Sequence, residues 1–259
     1  MNHIALQCQQ LQVHIHQQKI LHDLNLNIRQ GRWTCVVGPN GCGKSTLLKA
    51  LSGLIDYKGQ VLMADLSLSQ WHSKNLAQHR AWLGQDESSN DDLTVYDVVM
   101  LGRLPHQSWL QGANPKDHQH VSDALKKMHA WDWRERPLGQ LSGGERQRVL
   151  LARVWASDAS VFLMDEPISN LDVPHQADWI SSVQDVVKHG ATVVSVLHDL
   201  TLSLLADEVV VMQNGIIVHH GSSQDTVTHQ AMTGVFDGRI QIVSHNGQTL
   251  ALIKNAIQR

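Results

Sequence analysis

The chain has 259 residues, 42% of them hydrophobic and 17% charged, which is enough to bury an α/β core and excludes a disordered chain. A formal net charge of −3 argues against a nucleic-acid binder held by bulk positive charge. The three cysteines, Cys8, Cys35 and Cys42, form no CxxC pair and read as free thiols in a reducing cytoplasm.

Residues 1–20 are mixed polar and His-rich, with neither the apolar core of a signal peptide nor a charged transit pattern. No apolar run approaches a membrane span, so a role at a membrane needs a partner to hold the chain there. Trp33-Thr34-Cys35-Val36-Val37 predicts a buried strand running into a Gly-rich turn, and residues 44–52 the helix that follows, ended by Gly53. The stretch 94–133 lacks strand patterning; Leu104-Pro105, Gly112 and Asn114-Pro115 break it, and it reads as a helical insert. Leu141-Ser142-Gly143-Gly144-Glu145 opens a helix over 146–155. Val161-Phe162-Leu163-Met164 is a continuous apolar run, as a strand covered on both faces of a parallel sheet requires. Residues 193–197 and 209–212 are two more. Between the runs at 161 and 193 lies a helix with Pro174 in its first turn and Gly190 just past its end. Strand, helix, strand in this order implies a mostly parallel α/β sheet.

Gly38-Pro39-Asn40-Gly41-Cys42-Gly43-Lys44-Ser45 fits the pattern GxxxxGK[ST]. Glycines let backbone N–H groups turn inward and cradle phosphate oxygens, and the helix that follows adds its positive end. Lys44 is placed to reach the β- and γ-phosphates, and Ser45 to offer its hydroxyl to Mg²⁺. At average composition the four fixed positions arise by accident in roughly one chain in a hundred of this length, so the strand before and helix after them are what make a plain Gly-rich turn the lesser reading. The run at 161 ends in Asp165-Glu166-Pro167. Two adjacent carboxylates at a strand tip are costly unless they meet a cation or substrate. Asp165 is read as holding Mg²⁺ through water, and Glu166 as the general base on the attacking water.

Ser142 and Glu145 have the spacing of a capping box, and Gly143 and Gly144 bring bare amides to a helix N-terminus, a second anion site. On this segment alone a well-capped helix with nothing bound is at least as good a reading. Cys42, just before Lys44 and a helix N-terminus, is expected either to be a reactive, low-pKa thiol or to be a small, packed, inert filler.

The three segments, in that order and spacing, resemble the ABC ATPase family over nearly the whole chain. The resemblance implies one cassette over 1–259: a P-loop core of mostly parallel strands, antiparallel N-terminal strands, and a helical subdomain inserted at approximately 86–147. It implies that Gln85, in Trp82-Leu83-Gly84-Gln85, is a Q-loop residue that joins Ser45 and Asp165 at Mg²⁺ and takes part in catalysis. Ser169-Asn170-Leu171-Asp172 matches the D-loop, and His198 falls where a switch histidine meets the γ-phosphate. Thr46 joins Gly38–Ser45 in binding ATP, and Ile15 takes the place where an aromatic usually stacks on adenine, flanked by His14 and His16. Leu141, Ser142, Gly143, Gly144 and Glu145 serve the nucleotide of a partner subunit in a head-to-tail homodimer. Two membrane permease subunits and a periplasmic binding protein complete such a system on the cytoplasmic side of a bacterial inner membrane, with no nucleic acid involved.

Gly102-Arg103-Leu104-Pro105-His106, Gly144-Glu145-Arg146-Gln147-Arg148 and Leu171-Asp172 followed by His175-Gln176 resemble importers of Fe(III)-siderophores, haem and cobalamin. Ala64-Asp65, Ser69-Gln70-Trp71, Leu76-Ala77 and His79-Arg80 lean toward cobalamin. Beside Ile15, two further departures stand out: Gly84 replaces a frequent Pro before Gln85, and Ile168 a usual Thr, with Ser169 keeping a hydroxyl nearby. A soluble ABC-type ATPase acting on nucleic acid or the ribosome is the alternative, and a single cassette without a long coiled-coil insertion speaks against it. Leu141–Glu145 and Ser169–Asp172 disfavour a P-loop kinase or GTPase. The 17 histidines show no spacing that makes a metal cage and read as surface or capping residues, and Trp131 and Trp133 read as packing within the helical segment.

Overall fold

The computed structural model describes residues 3–85, 91–108 and 112–254. The start of the predicted insert, 86–90, lies outside the described residues. The chain forms two compact units, 1–70 with 192–259, and 71–191.

The first unit begins with two long strands, β1 (Ile4–Ile15) and β2 (Gln18–Arg29), then β3 (Trp33–Val37), α1 (Lys44–Leu51), β4 (Lys58–Met63) and β5 (Leu66–Ser67). β1 pairs antiparallel with β2 and β4. Leu6, Leu11, Val13, Leu21 and Ile28 are buried, while the outward side carries an amide ladder in which Gln7 donates to Asn27 at 2.7 Å and Gln9 to Gln7 at 3.0 Å. One apolar and one polar face explain why this region reads as mixed polar in sequence. β3 is buried along its whole length. α1 turns Leu47, Leu48 and Leu51 fully inward, each contributing about 1.5–3 kcal/mol of burial.

The second unit holds α2 (Ser73–His79), β6 (Arg80–Leu83), α3 (Val95–Met100), α4 (Pro115–Lys127), α5 (Gly143–Ala156), β7 (Val161–Asp165) and α6 (Val173–Lys188). It is wider than the insert read at 86–147, because it takes in the parallel pair β6–β7 and the helix after it. Asn114-Pro115, read as a break, is a helix start: Asn114 and Asp117 close a capping box with Pro115 in the first turn. The same Asp117 accepts from Arg103 Nε at 3.0 Å, and both side chains are buried. Arg103 Nη1 also donates to the carbonyls of Ala156 and Ser157, at 2.9 and 3.3 Å, the last carbonyls of α5. Trp131 and Trp133 form a short 3₁₀ turn and are half-buried rather than core; Arg134 stacks 4.7 Å from the Trp131 ring centroid and Arg148 4.3 Å from that of Trp133. Trp179 of α6 is the large ring that is fully buried.

The chain then returns to the first unit with β8 (Thr192–Val196), α7 (Leu200–Ser203), β9 (Glu208–Gln213), β10 (Ile216–Ser222), α8 (Thr226–Val235), β11 (Ile240–His245) and β12 (Gln248–Ile253). Within this unit β3 lies between β8 and β9, parallel to both, and β10 adds antiparallel to β9. β3 and β8 are buried along their whole length and β9 as far as Met212, with Thr34, Thr192, Ser195 and Glu208 as buried polar residues among the apolar ones. The hairpins β9–β10 and β11–β12 turn at Asn214-Gly215 and Asn246-Gly247, all four residues at positive φ as a two-residue turn of this kind requires.

Candidate functional site

In the first unit, the parallel pairing of β3 with β8 sets Val36 opposite Val196. The loop after β3 and His198, just past β8, therefore leave the same edge of the sheet, the edge at which ligands bind in α/β folds. Gly38 has φ 152°, and a Cβ there would lie 2.2 Å from the Met212 carbonyl oxygen, so no side chain fits. Lys44, itself buried, donates to the carbonyls of Gly38 at 2.9 Å and Pro39 at 3.0 Å, which folds the loop over its own helix start. Gly215 N donates to Cys42 O at 3.0 Å, anchoring the loop to the β9–β10 turn. Gly43 caps α1 with no side-chain cap and no acid in the first turn, so the positive helix end is left for an anion. Asn40, Gly41, Ser45 and Thr46 complete this turn.

At Cys42 the structure favours one of the two readings. The residue is buried, and burial pushes its thiol above the ordinary value, outweighing the ammonium of Lys44 that favours thiolate. It is the packed filler; its sulfur would lie 2.9 Å from a Cβ on Gly38. Burial pushes Cys8 and Cys35 up to about 12. Ile15 ends β1 at an exposed hairpin tip with His14 and His16 beside it, and β2 of the same hairpin brings Leu21 against Gly43.

In the second unit, β6 and β7 run parallel with Leu83 opposite Met164, so Gln85 and Glu166 emerge at one edge. Gln85 Nε2 donates to Glu166 Oε2 at 3.0 Å. Asp165 closes β7 and is buried. Glu166 has φ 52°, which turns the chain sharply as it leaves the strand. Ser169 holds that turn, donating from N at 3.1 Å and from Oγ at 2.9 Å to the Glu166 carbonyl. Leu141 leads into α5, whose capping box is closed: Glu145 N donates to Ser142 Oγ at 3.3 Å, and Ser142 N to Glu145 Oε2 at 2.8 Å. The Ser142 amide holds the Glu145 carboxyl below its ordinary range. Ser142 and Gly143 are exposed, and Asn170 of the D-loop segment packs against Gly144. Sequence reading missed Gln147, whose buried amide donates to the Pro167 carbonyl oxygen at 2.7 Å. Its place one turn into an amphipathic helix carries no sign of that contact.

A glycine loop on a helix N-terminus and a strand that ends in a buried Asp followed by a partly exposed Glu define a P-loop nucleoside triphosphatase. The ABC transporter family model matches residues 21–169. The chain is 32% identical to the iron(3+)-hydroxamate import ATP-binding protein of Bacillus subtilis over 93% of this chain and 90% of that one. It is 36% identical to the hemin import ATP-binding protein of Mesorhizobium japonicum, over 92% and 93%, and 38% identical to the cobalamin import ATP-binding protein of Halobacterium salinarum, over 86% and 56%. A solved chain of a metal-chelate type ABC transporter in an inward-facing conformation superposes with a TM-score of 0.78 at 25% identity, over 98% and 97%. The chain belongs to the ABC transporter family, and it is a subunit that binds and hydrolyses ATP.

Proposed function

We propose that this subunit powers the import of a metal chelate, an Fe(III)-siderophore, haem or cobalamin, from the cytoplasmic face of a bacterial inner membrane. The observation that carries the reading is the likeness, over most of the chain, to import ATP-binding proteins for those three cargoes. The segment 64–80 favours cobalamin among them. Among the described residues no helix is long and apolar enough to cross a membrane, which suits a peripheral subunit held by two permease subunits and served by a periplasmic binding protein.

In the proposed mechanism Gly38–Ser45 and Thr46 cradle the phosphates of ATP, Lys44 neutralises the β- and γ-phosphates, and the adenine lies at the Ile15 position, against Ile15 or the imidazole of His14 or His16. Ser45 in the first unit, and Gln85 and the buried Asp165 in the second, each carry a hard oxygen donor of the kind Mg²⁺ takes, and the proposal is that they would hold it. Bound there, Mg²⁺ would neutralise phosphate charge. Glu166 takes the proton of the attacking water, with Gln85 orienting its carboxylate, and His198 meets the γ-phosphate. Leu141–Glu145 offer the exposed start of α5 to the ATP of a second copy. The test is ATPase activity of the purified subunit alone, with a metal-chelate permease in proteoliposomes, and with DNA or RNA. A rate at least about tenfold higher with the permease is expected, since assembly supplies the second half of each site. Stimulation by nucleic acid instead would replace this reading with the non-transport one.

A further inference from the structure

Two positions on one face of α5 touch the turn that follows β7. Gly144 and Gln147 are three residues apart, so they lie one above the other on the helix surface. At Gly144 the Asn170 carbonyl oxygen comes so close that an added Cβ would sit 2.9 Å from it. At Gln147 the side-chain amide donates to the Pro167 carbonyl oxygen at 2.7 Å, and the residue is buried. One helix face thus grips the turn just after Glu166 and again at Asn170.

The turn needs such a grip. Glu166 and Asn170 have φ of 52° and 65°, the left-handed region where a residue with a side chain is uncommon and held only by its surroundings. The bonds from Ser169 to Glu166 and from Leu171 N to Ile168 O fix the turn's internal shape. They do not fix where it points. Gln85, just past β6, reaches the Glu166 carboxylate, and Gln147 of α5 reaches the backbone carbonyl of the next residue, Pro167.

We propose that Gln147 is a positioning residue for the general base. Its bond to Pro167 makes the start of α5 and the Glu166 turn one rigid piece. The piece ties the helix start that faces the second copy's nucleotide to the base that serves this chain's own. This inference rests on reading Glu166 as the base and the start of α5 as the partner's anion site.

Gln147→Met keeps the side-chain length and removes the donor. A fall in kcat of about tenfold is expected, with KM for ATP and nucleotide affinity within about twofold, because the lost placement matters only to the reacting water. In a Glu166→Gln background the same substitution should lower the residual rate less than about twofold, since the group it positions is already disabled. A purely structural role would lower melting temperature and affinity together and reduce the rate equally in both backgrounds, and that outcome overturns the proposal. So does a kcat within about twofold of the parent. Gln147→Leu, which loses the donor without adding a charge, is read the same way if the Met variant does not fold. If Glu166→Gln keeps full turnover, the reading of the base has failed. If Glu166→Gln is inactive while Gln147→Met is fully active, only the role of Gln147 has failed.

Discussion

The phosphate loop and the start of α5 are both glycine-bearing helix N-termini, and they are completed in opposite ways. The first is buried at its base, with Asn40 and Gly41 exposed at its tip: Lys44 and Cys42 are inside, and the lysine bonds loop carbonyls. It has no cap and no acid in the first turn. The second is exposed and already capped, with the Glu145 carboxylate in its own first turn. In the proposed reading the uncapped helix end serves an anion bound by its own chain. In the same reading the capped, exposed end keeps amides free for an anion that a second molecule brings.

The largest effect expected is the one that separates the two ends. Lys44→Ala should abolish hydrolysis and weaken nucleotide binding by the isolated subunit by about 10²-fold or more. Ser142→Arg should abolish hydrolysis equally, yet leave the isolated subunit's affinity within about threefold. Titration with a fluorescent nucleotide measures both, and a large loss of affinity in Ser142→Arg would place that serine in its own chain's site.

A middle-sized effect divides the two glycines of α5. Gly144→Ala drives a methyl toward the Asn170 carbonyl and should cost about 1–3 kcal/mol in denaturant unfolding, as overpacking does. At Gly143 an added Cβ meets Asn170 Cβ only at 4.0 Å, and Gly143→Ala should be neutral or stabilise by up to about 1 kcal/mol through helix propensity. Equal costs at the two positions would show that the turn, and not the helix, yields.

The smallest effect tests the buried loop. With its thiol pushed up by burial, Cys42 is largely protonated at neutral pH, so a maleimide should modify it more slowly than free cysteine. The rate should rise with pH as thiolate forms. Cys42→Ala should keep ATPase activity within about twofold, a small residue replacing a small filler. Rapid labelling at neutral pH would mean that the loop opens to solvent.

The buried strands were legible because Val161–Met164 and its counterparts are apolar runs too short to be anything but strands between helices. The phosphate loop was legible because glycine spacing is a backbone requirement written directly into sequence. β1 and β2 were harder, since the amide ladder on their outer face dilutes the apolar alternation. The hairpin at Ile240–Ile253 went unread although Asn246-Gly247, like Asn214-Gly215, marks a two-residue turn at positive φ. Cys42 stayed between two readings because the helix and Lys44 are visible in sequence and burial is not. Gln147 to Pro167 and Gln85 to Glu166 span 20 and 81 positions, and no local pattern announces either.

The grip of Arg103 on the far end of α5 has a mechanical meaning. At 14 residues the helix is about 21 Å long, stiff along its axis because every turn is hydrogen-bonded to the next. Its last carbonyls are clamped by a guanidinium that is itself locked to Asp117. A rod pinned at its tail by charge-assisted bonds cannot slide along itself; it can only be carried. Any displacement applied at Ser142 must therefore move the Arg103–Asp117 layer with it, and α5 acts as a strut in which load entering at the tip is felt at the base.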